Sequence, residues 1–382
     1  MTDVVVVGGG VTGTSIAYHL ARDGASVVLV DKAGIAEAPA ATWASAGGLR
    51  SQGRHAPDRP LTLEAAARWP TLPDELDADL EVRLGGHLHV AETDREIAAL
   101  EERVAADRAG GIAIELVSGD ALRQLAPGLT PRALAGAYTA GDGQAHPART
   151  ARAFARAARR LGATIRTGSA ATPVVAADRV QGVEVDGTRL PAGTVVLATG
   201  AWSVGGLAAL GLALPLRWRG LQMLLSEVAA PALAPTVTAV GRNLSLKQSP
   251  TGQYMIGGRW FGRPAGEGPA AVPIDAHVAR QWSSAAAILP ALAGLRLAQS
   301  WAGVEAQTPD AMPYLGPAGP SGLYLALGFS NHGFQISPAV GLHVARDILA
   351  GPDPLLAPFA PDRAAGADPA ATRAFLDEGI LL

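Results

Sequence analysis

Residues 4–31, VVVVGGGVTGTSIAYHLARDGASVVLVD, contain a complete βαβ unit. The continuous β-branched run Val4 to Val7 predicts a strand that is buried on both faces of a parallel sheet. A glycine-rich turn then leads into a helix over residues 14–22, which Gly24 ends. Ser26 to Val30 predict a second strand, and about thirty residues is the size expected of such a unit. The stretch therefore predicts an α/β fold that begins with a Rossmann-type unit.

The glycines of this stretch follow the pattern G-x-G-x-x-G. Gly8 allows a tight turn, Gly10 lets a pyrophosphate approach the backbone, and Gly13 lets the helix pack closely on the strand. The helix N-terminus adds free amides and positive dipole for phosphate groups. Asp31 ends the second strand, where it can accept hydrogen bonds from ribose hydroxyls. The alternative is a glycine turn in an ordinary α/β domain that binds no dinucleotide. It would not explain why an acid stands at position 31. The predicted dinucleotide site comprises Gly8, Gly10, Val11, Thr12, Gly13, Asp31 and Lys32.

Composition excludes several classes of protein and site. The 382 residues include 31 basic and 34 acidic side chains, and a net charge of -3 provides no basic stripe for a nucleic acid. The absence of cysteine excludes disulfides, thiolate metal sites and a flavin tethered through cysteine. No apolar stretch of about 18 residues suggests a membrane span, and no secretory signal is found. We therefore expect a cytoplasmic protein without a metal site, a nucleic-acid partner or a membrane span.

Two further stretches indicate which dinucleotide is bound. Residues 194–203, TVVLATGAWS, and residues 141–147, GDGQAHP, resemble the second FAD-contacting strand and the central-helix entry of the FAD-dependent amine and amino-acid oxidoreductases. That family includes D-amino acid oxidase, glycine oxidase and sarcosine oxidase. The resemblance covers about residues 3–350 and implies FAD, with Val174, Thr199, Gly200 and Trp202 among the residues beside it.

Three stretches resemble sarcosine oxidases more closely, especially the β subunits of the heteromeric enzymes, and related proline and hydroxyproline dehydrogenases. They are residues 45–52, SAGGLRSQ, residues 301–310, WAGVEAQTPD, and residues 328–341, GFSNHGFQISPAVG. The resemblance implies oxidation of a secondary amine, an imino acid, or a D- or N-substituted amino acid. Hydride would pass from the α-carbon to flavin, and the imine would hydrolyse in water. The implied partners are an electron acceptor (a quinone, a dye-like carrier or oxygen) and further subunits of a hetero- or homo-oligomer.

The resemblance also implies an organisation and a site. We expect an α/β fold, α+β overall, with a Rossmann-type FAD-binding domain built from discontinuous segments and an inserted antiparallel β-sheet substrate domain. The FAD-binding domain would comprise residues 1–80, 141–215 and 310–365, the substrate domain residues 81–140 and 216–309, and a loosely packed tail residues 366–382. Small residues would let backbone amides reach the flavin ring, and amides at the start of the last helix would stabilise its negative charge. The residues in these two segments are Ser45, Gly47, Gly48, Leu49, Asn331, His332, Gly333, Phe334 and Gln335.

Three side chains are candidates for contact with the substrate. Arg50 is expected to clamp a substrate carboxylate, because guanidinium binds carboxylate in a bidentate manner. The alternatives for Arg50 are a structural ion pair or contact with the flavin phosphates. His332 is expected to face the substrate over the ring, and Gln335 to donate a neutral hydrogen bond. No general base is obvious.

The chain also departs from the monomeric sarcosine oxidases. They tether flavin to a cysteine near the position of Gly303, place a carboxylate-binding lysine at Gln335, and place an oxygen-activating lysine near Met255. These departures predict noncovalent FAD and favour a dehydrogenase over an oxidase. Two other functions stay open at this point: an NAD-dependent dehydrogenase, and a non-catalytic flavin-binding subunit of a larger complex.

Overall fold

The computed structural model describes residues Thr2 to Glu378, which form two large sheets with helices packed against them. The strands of this part of the chain are β1 Thr2–Val7, β2 Val27–Asp31, β3 Gly48–Leu49, β4 His87–Ala91, β5 Glu115–Ser118, β6 Ala135–Thr139, β7 Gly143–Gln144, β8 Thr164–Thr167, β9 Ala171–Ala176, β10 Arg179–Val185, β11 Thr188–Leu197, β12 Arg217–Val228, β13 Thr236–Ala239, β14 Ser245–Gln248, β15 Gln253–Gly257, β16 Arg263–Pro264, β17 Ala271–Val272, β18 Leu297–Gln307, β19 Tyr314–Pro317 and β20 Leu323–Leu327. The α-helices are α1 Val11–Arg22, α2 Ala41–Ala44, α3 Arg59–Arg68, α4 Leu72–Leu76, α5 Asp94–Ala109, α6 Gly119–Leu125, α7 Pro147–Arg160, α8 Ser203–Gly206, α9 Asp275–Ile288, α10 Gly333–Ala350 and α11 Pro369–Asp377.

The first sheet contains the predicted βαβ unit. Its strand order is β19-β20-β11-β1-β2-β8, and every neighbour in that path except the β19–β20 pair is parallel. Val4 and Val6 pack into a core shared with α1, α7 and α10, whereas Val5 and Val7 pack into a second core on the opposite face. Burial of each such side chain contributes about 1.5–3 kcal/mol. The predicted strand with two buried faces is therefore confirmed.

The second sheet has the order β18-β12-β15-β14-β13-β4-β6-β5 and is antiparallel except between β13 and β4. One of its faces packs on α6 and α9 through a core that includes Leu224, Leu246 and Ile256. Side chains alternate along a strand, so the neighbouring residues point to the other face. That face carries Met223 and Ser245.

The chain alternates between the two sheets, as the predicted fold class requires. Strands of the first sheet come from residues 2–31, 164–197 and 314–327, and strands of the second from residues 87–139 and 217–307. The fold is thus the expected mixed α/β one, with discontinuous segments and an inserted, mainly antiparallel sheet. The exact domain boundaries stay a prediction.

The region beyond Gly351 is anchored to the rest of the structure by a few side chains. Leu356 and Phe359 are buried in the core of the first sheet. Helix α11 then returns to β12, where the ring centroid of Phe375 lies 3.9 Å from the guanidinium carbon of Arg217. Residues 352–365 are therefore not loosely packed, although their Pro-, Ala- and Asp-rich composition conceals these anchoring side chains. Helix α11 itself has no buried residue, so a loosely packed tail over residues 366–382 stays a prediction. Residues 379–382 of the predicted tail lie outside the described residues.

Two features are absent from residues 2–378. No helix in this range has the length and apolar character needed to cross a membrane. No group of three or more histidine, aspartate or glutamate side chains in it is arranged to hold a metal ion.

Candidate active site

A cavity of about 920 Å³ is lined by segments of both sheets. Its wall includes the glycine turn at residues 8–12, the loop at residues 44–50, the turn at residues 328–335 and several strands of the second sheet. The stretches singled out in the sequence are therefore brought to one cavity. Three predicted cofactor residues are not among the described residues of its wall: Gly13, Lys32 and Val174.

Two glycines of the dinucleotide motif are fixed by close approach. Gly8 has a φ of +120°, and a Cβ there would lie 2.3 Å from the carbonyl oxygen of Ala198. A Cβ on Gly13 would lie 2.0 Å from the carbonyl oxygen of Gly8. Gly13 thus has the role proposed from the sequence, close packing of helix on strand, and needs no place in the cavity wall to perform it.

Asp31 lines the cavity and also holds the glycine turn. The Gly9 N–H donates to Oδ2 of Asp31 (2.6 Å), and the Ala33 N–H donates to Oδ1 (2.8 Å). The neighbouring Lys32 is turned away, with its Nζ 3.9 Å from the ring centroid of Trp202. Trp202 itself is part of the cavity wall. Asp31 therefore presents a carboxylate whose orientation is fixed before any ligand binds.

Thr42 contributes to the cavity wall near the glycine turn, a role that the sequence did not predict. Helix α1 begins after Gly10, which offers no side-chain cap. The Val11 N–H instead donates to Oγ1 of Thr42 (3.0 Å), which is buried in the cavity wall. A threonine in a loop without a motif carries no signal that would have predicted this contact.

The loop at residues 45–49 exposes backbone to the cavity at its glycines. Gly47 has a φ of +71°, a Cβ there would lie 2.0 Å from the carbonyl oxygen of Ala145, and its N–H donates to Oγ of Ser45 (3.1 Å). Gly48, by contrast, faces open space, since a Cβ there would have no neighbour within 4 Å. Gly48 and Leu49 pair with β7, which fixes the loop. A flat ring can therefore approach the backbone at Gly48.

The turn before α10 is only partly available to a ligand. The Asn331 N–H donates to Oε2 of Glu305 (3.1 Å), and the His332 N–H donates to the Phe329 carbonyl (2.9 Å). Both amides had been expected to face the flavin, and this part of the prediction was wrong. Helix α10 begins at Gly333 without a side-chain cap. The amides of Gly333 and Phe334 are in its first turn, which is in the cavity wall and carries positive dipole.

Arg50 lines the cavity beyond the glycine loop. Among residues 2–378, no side chain forms an ion pair or a hydrogen bond with its guanidinium, whereas its carbonyl oxygen accepts bonds from Nε (3.1 Å) and Nη2 (2.8 Å) of Arg54. Burial, with a further contribution from Arg103, lowers the pKa of Arg50 to about 10. The alternative of a structural ion pair therefore has no partner in the described structure. Arg50 presents a charged group to the cavity at neutral pH.

His332 and Gln335 differ in what they offer. His332 lines the cavity, and its Nδ1 is buried without a hydrogen-bond partner among the described residues. The side chain of Gln335 is committed to α3, because its Nε2 donates to the Thr62 carbonyl (3.1 Å) and the residue is only 2% exposed. The prediction that Gln335 donates to a substrate is therefore not supported by its side-chain orientation.

Glu305 is the most informative residue that sequence reasoning missed. It lies on β18 in the cavity wall. Its Oε1 accepts from Nε2 of Gln307 (2.7 Å), and its Oε2 accepts from the Asn331 N–H. Burial raises the pKa of Glu305 to about 7. Glu305 stands at a variable position of the stretch WAGVEAQTPD, so the pattern gives no signal for its role.

Comparison with known proteins identifies the family of the chain. Residues 3–346 match the family described as DAO, FAD dependent oxidoreductase. The chain belongs to this family. Its relatives include glycine oxidase of Geobacillus kaustophilus (strain HTA426), at 30% identity over 90% of this chain and 92% of the relative. Sarcosine oxidase subunit beta of Arthrobacter sp is 27% identical over 91% and 86%. The solved structure of L-proline dehydrogenase from P. horikoshii is similar with a TM-score of 0.89 and 25% identity, covering 96% and 98% of the two chains.

FAD is therefore the cofactor of this DAO-family protein, and the NAD alternative was wrong. The residues of the cavity suit FAD at both ends. At one end, the turn at Gly8 and Gly10 and the carboxylate of Asp31 are arranged for pyrophosphate and ribose. At the other, Gly48 faces space in which a Cβ would meet no atom within 4 Å.

Position 303 has no room for a side chain. A Cβ on Gly303 would lie 2.1 Å from the Cβ of Ala44 and 3.3 Å from the carbonyl oxygen of Pro39. In this DAO-family chain a loop packs against β18 at Gly303. The resemblance to the monomeric sarcosine oxidases places their tethering cysteine at this position. This contact, together with the absence of cysteine, explains why noncovalent FAD is expected.

The position expected for the oxygen-activating lysine needs correction. Met255 pairs with Leu225 and Lys247 on its two neighbouring strands and is not among the described residues that line the cavity. Met223 and Gly257, which are cross-strand neighbours, line it instead. The structure therefore does not support a place for Met255 beside the flavin. Lys247, opposite Met255, is buried, and burial lowers its pKa to about 7.

Proposed function

We propose that the protein oxidises a secondary amine, an imino acid, or a D- or N-substituted amino acid at the carbon that bears nitrogen. Glycine, sarcosine and L-proline, for which the three relatives are named, all combine an amino group with a neighbouring carboxylate. The observation that carries the proposal for this chain is Arg50, which lines the cavity and whose guanidinium has no hydrogen-bond or ion-pair partner among residues 2–378. A carboxylate held there would present its α-carbon to the cavity.

Bound FAD supplies a two-electron acceptor that takes hydride from the α-carbon. The chain's own residues would bind and orient the substrate. Arg50 would hold the carboxylate through charged hydrogen bonds. The first turn of α10 would place amides and dipole where negative charge develops. His332 would face the substrate with its unpartnered Nδ1. The imine that forms would leave the cavity and hydrolyse in water.

The proposal includes a preference for an acceptor other than oxygen. The sequence contains only Lys32 and Lys247, and neither is among the described residues that line the cavity. A lysine ammonium beside the flavin, the feature that the resemblance associates with oxygen activation, is thus not supplied by the described wall. We therefore favour a dehydrogenase. Assembly with further subunits and a cytoplasmic location stay predictions.

The test compares an acid substrate with its amide in the wild type and in Arg50→Ala. A charged hydrogen bond contributes about 1.5–3 kcal/mol, so Arg50→Ala should lower kcat/KM for the acid about tenfold or more. The wild type should discriminate strongly against the amide, and Arg50→Ala should barely distinguish the two. If both enzymes discriminate equally, the carboxylate is held elsewhere and the proposed placement of the substrate is wrong.

A further inference from the structure

Glu305 occupies a distinctive place in the cavity. The described residues of the wall include three carboxylates: Asp31 at the nucleotide end, Glu378 beside α11, and Glu305. Glu378 is bound by Arg217, with Nη1 2.7 Å from its Oε2. Glu305 instead accepts from the turn that precedes α10, whose first helical turn faces the flavin in the proposed site. Of these three carboxylates, it is the one that is hydrogen-bonded to that turn.

The surroundings of Glu305 leave its charge only partly balanced. The cross-strand partner of Glu305 on β12 is Arg219, which forms an ion pair with Glu378. Arg259, on the loop after β15, stabilises the carboxylate from a distance, and His332 lies in the neighbouring turn. Helix α2, strand β17 and the turn at residues 200–202 also pack on β18, but they contain no titratable side chain. Burial therefore dominates, and it favours the protonated acid.

The proposed reaction needs a proton acceptor at this place. An amino acid reaches the enzyme at neutral pH mainly as an ammonium ion, with a pKa of about 10 like that of an alkyl ammonium. Hydride can leave the α-carbon only when the nitrogen has a lone pair to form the C=N bond. The bound ammonium must therefore lose a proton, and a carboxylate with a matched pKa is suited to take it.

We propose that Glu305 accepts the ammonium proton of the bound substrate and then holds the neutral amine over the flavin, opposite the carboxylate clamp at Arg50. One N–H bond breaks and one O–H bond forms, so that substrate and Glu305 both become neutral at these atoms. When hydride leaves the α-carbon for FAD, the nitrogen lone pair becomes the second bond of the iminium product. Glu305 then releases its proton to water through the cavity. This role rests on the proposed function.

The test is the pH dependence of anaerobic FAD reduction in the wild type, Glu305→Gln and Glu305→Asp. The probes are glycine, N-methylglycine, L-proline and D-alanine, followed by the fastest of these. In the wild type, the second-order rate of reduction should rise with pH through about 7, because Glu305 must be ionised to accept the proton. Glu305→Gln should be about a hundredfold slower at pH 7.5. It should approach the wild type above about pH 10, where the substrate already binds as a neutral amine.

Matched controls distinguish two roles of Glu305: accepting a proton from the substrate, and accepting only hydrogen bonds from the protein. Glu305→Asp should retain the rise with pH at a lower rate. Glu227→Gln removes a carboxylate that pairs with Arg296 (2.9 Å) at the remote end of β12, and it should leave the profile unchanged. Methoxyacetate has an ether oxygen in place of the amine, and its binding is measured by the change it causes in the FAD spectrum. Glu305→Gln should bind it at least as tightly as the wild type, whereas Arg50→Ala should bind it about tenfold more weakly.

The outcomes are distinct. An equal loss of rate in Glu305→Gln at pH 7.5 and pH 10 would overturn the proton-acceptor role and leave Glu305 as a support of the turn before α10. Loss of methoxyacetate binding in Glu305→Gln would overturn it in the same way. If no amine reduces wild-type FAD at any pH, the proposed function itself fails, and the role of Glu305 fails with it.

Discussion

At the nucleotide end of the cavity, Gly8 and Gly13 belong to one short stretch of chain, whereas at the substrate end Arg50 and Glu305 come from segments far apart in sequence. The glycines are packed so closely that a Cβ would lie within 2.3 Å of a carbonyl oxygen. Arg50 and Glu305 face the cavity instead. The difference implies that substitutions at the nucleotide end disturb folding and FAD binding together, while substitutions at the substrate end change catalysis alone.

The largest effect is expected for Gly13→Val. Its Cβ would lie 2.0 Å from the Gly8 carbonyl oxygen, so helix and strand would have to separate. We expect no recoverable FAD-bound protein, measured as the ratio of flavin to protein absorbance after purification. Gly205→Ala is the control, because a Cβ there has no neighbour within 4 Å and should leave both yield and FAD content unchanged. A yellow, stable Gly13→Val protein would contradict the packing argument.

Acid precipitation should release all of the flavin colour. The sequence has no cysteine, and Gly303 has no room for a side chain. The measurement is the absorbance of the supernatant and of the redissolved pellet after treatment with trichloroacetic acid. Colour retained on the pellet would reveal a covalent bond to another side chain, such as a histidine of the cavity wall.

Gly48→Val should separate FAD binding from folding. The new side chain would extend into open space, which in the holoenzyme we assign to the flavin ring. We expect FAD to bind at least tenfold more weakly while the thermal unfolding midpoint of the apoprotein stays close to that of the wild type. If Gly48→Val retains FAD as tightly as the wild type, the ring does not lie against this loop.

The turnover rate should differ by about tenfold or more between two kinds of electron acceptor. With neither lysine among the described residues of the cavity wall, turnover with a quinone or a redox dye should exceed turnover with dissolved oxygen. Parallel assays with the same substrate, one following oxygen consumption and one following dye bleaching, measure the ratio. Comparable rates would refute the preference for a dehydrogenase.

The smallest effects are expected at the start of α10, at its N-cap residue His332 and at Gln335 in its first turn. His332→Ala should lower kcat several-fold if the ring orients the amine. Gln335→Ala should change kcat/KM less, because its amide already donates to Thr62, but it should lower the unfolding free energy by about 0.5–1.5 kcal/mol. Steady-state kinetics and urea unfolding measure the two quantities. A greater catalytic loss in Gln335→Ala than in His332→Ala would reverse the roles assigned here.

The same contrast explains what the sequence could predict. Residues 4–31 are local, so strand, turn, helix and terminal acid could be inferred from spacing alone, and the structure confirms that fold. Arg50 was found because it stands beside a glycine motif. Glu305 was not, since its meaning depends on the Asn331 amide and on burial, neither of which a linear pattern displays. Phe375 was missed for the same reason, because it contacts Arg217 only after the chain has folded back.

The central claim is that FAD and an amino acid react in the cavity between the two sheets. Anaerobic mixing of the purified holoenzyme with N-alkyl, cyclic and D-amino acids tests it most directly, with the visible flavin absorbance as the signal. We expect at least one of these compounds to bleach the flavin in a single turnover, and an electron acceptor to restore the colour. Flavin that dithionite bleaches but no amine or amino acid reduces would contradict the account and would support a non-catalytic flavin-binding subunit.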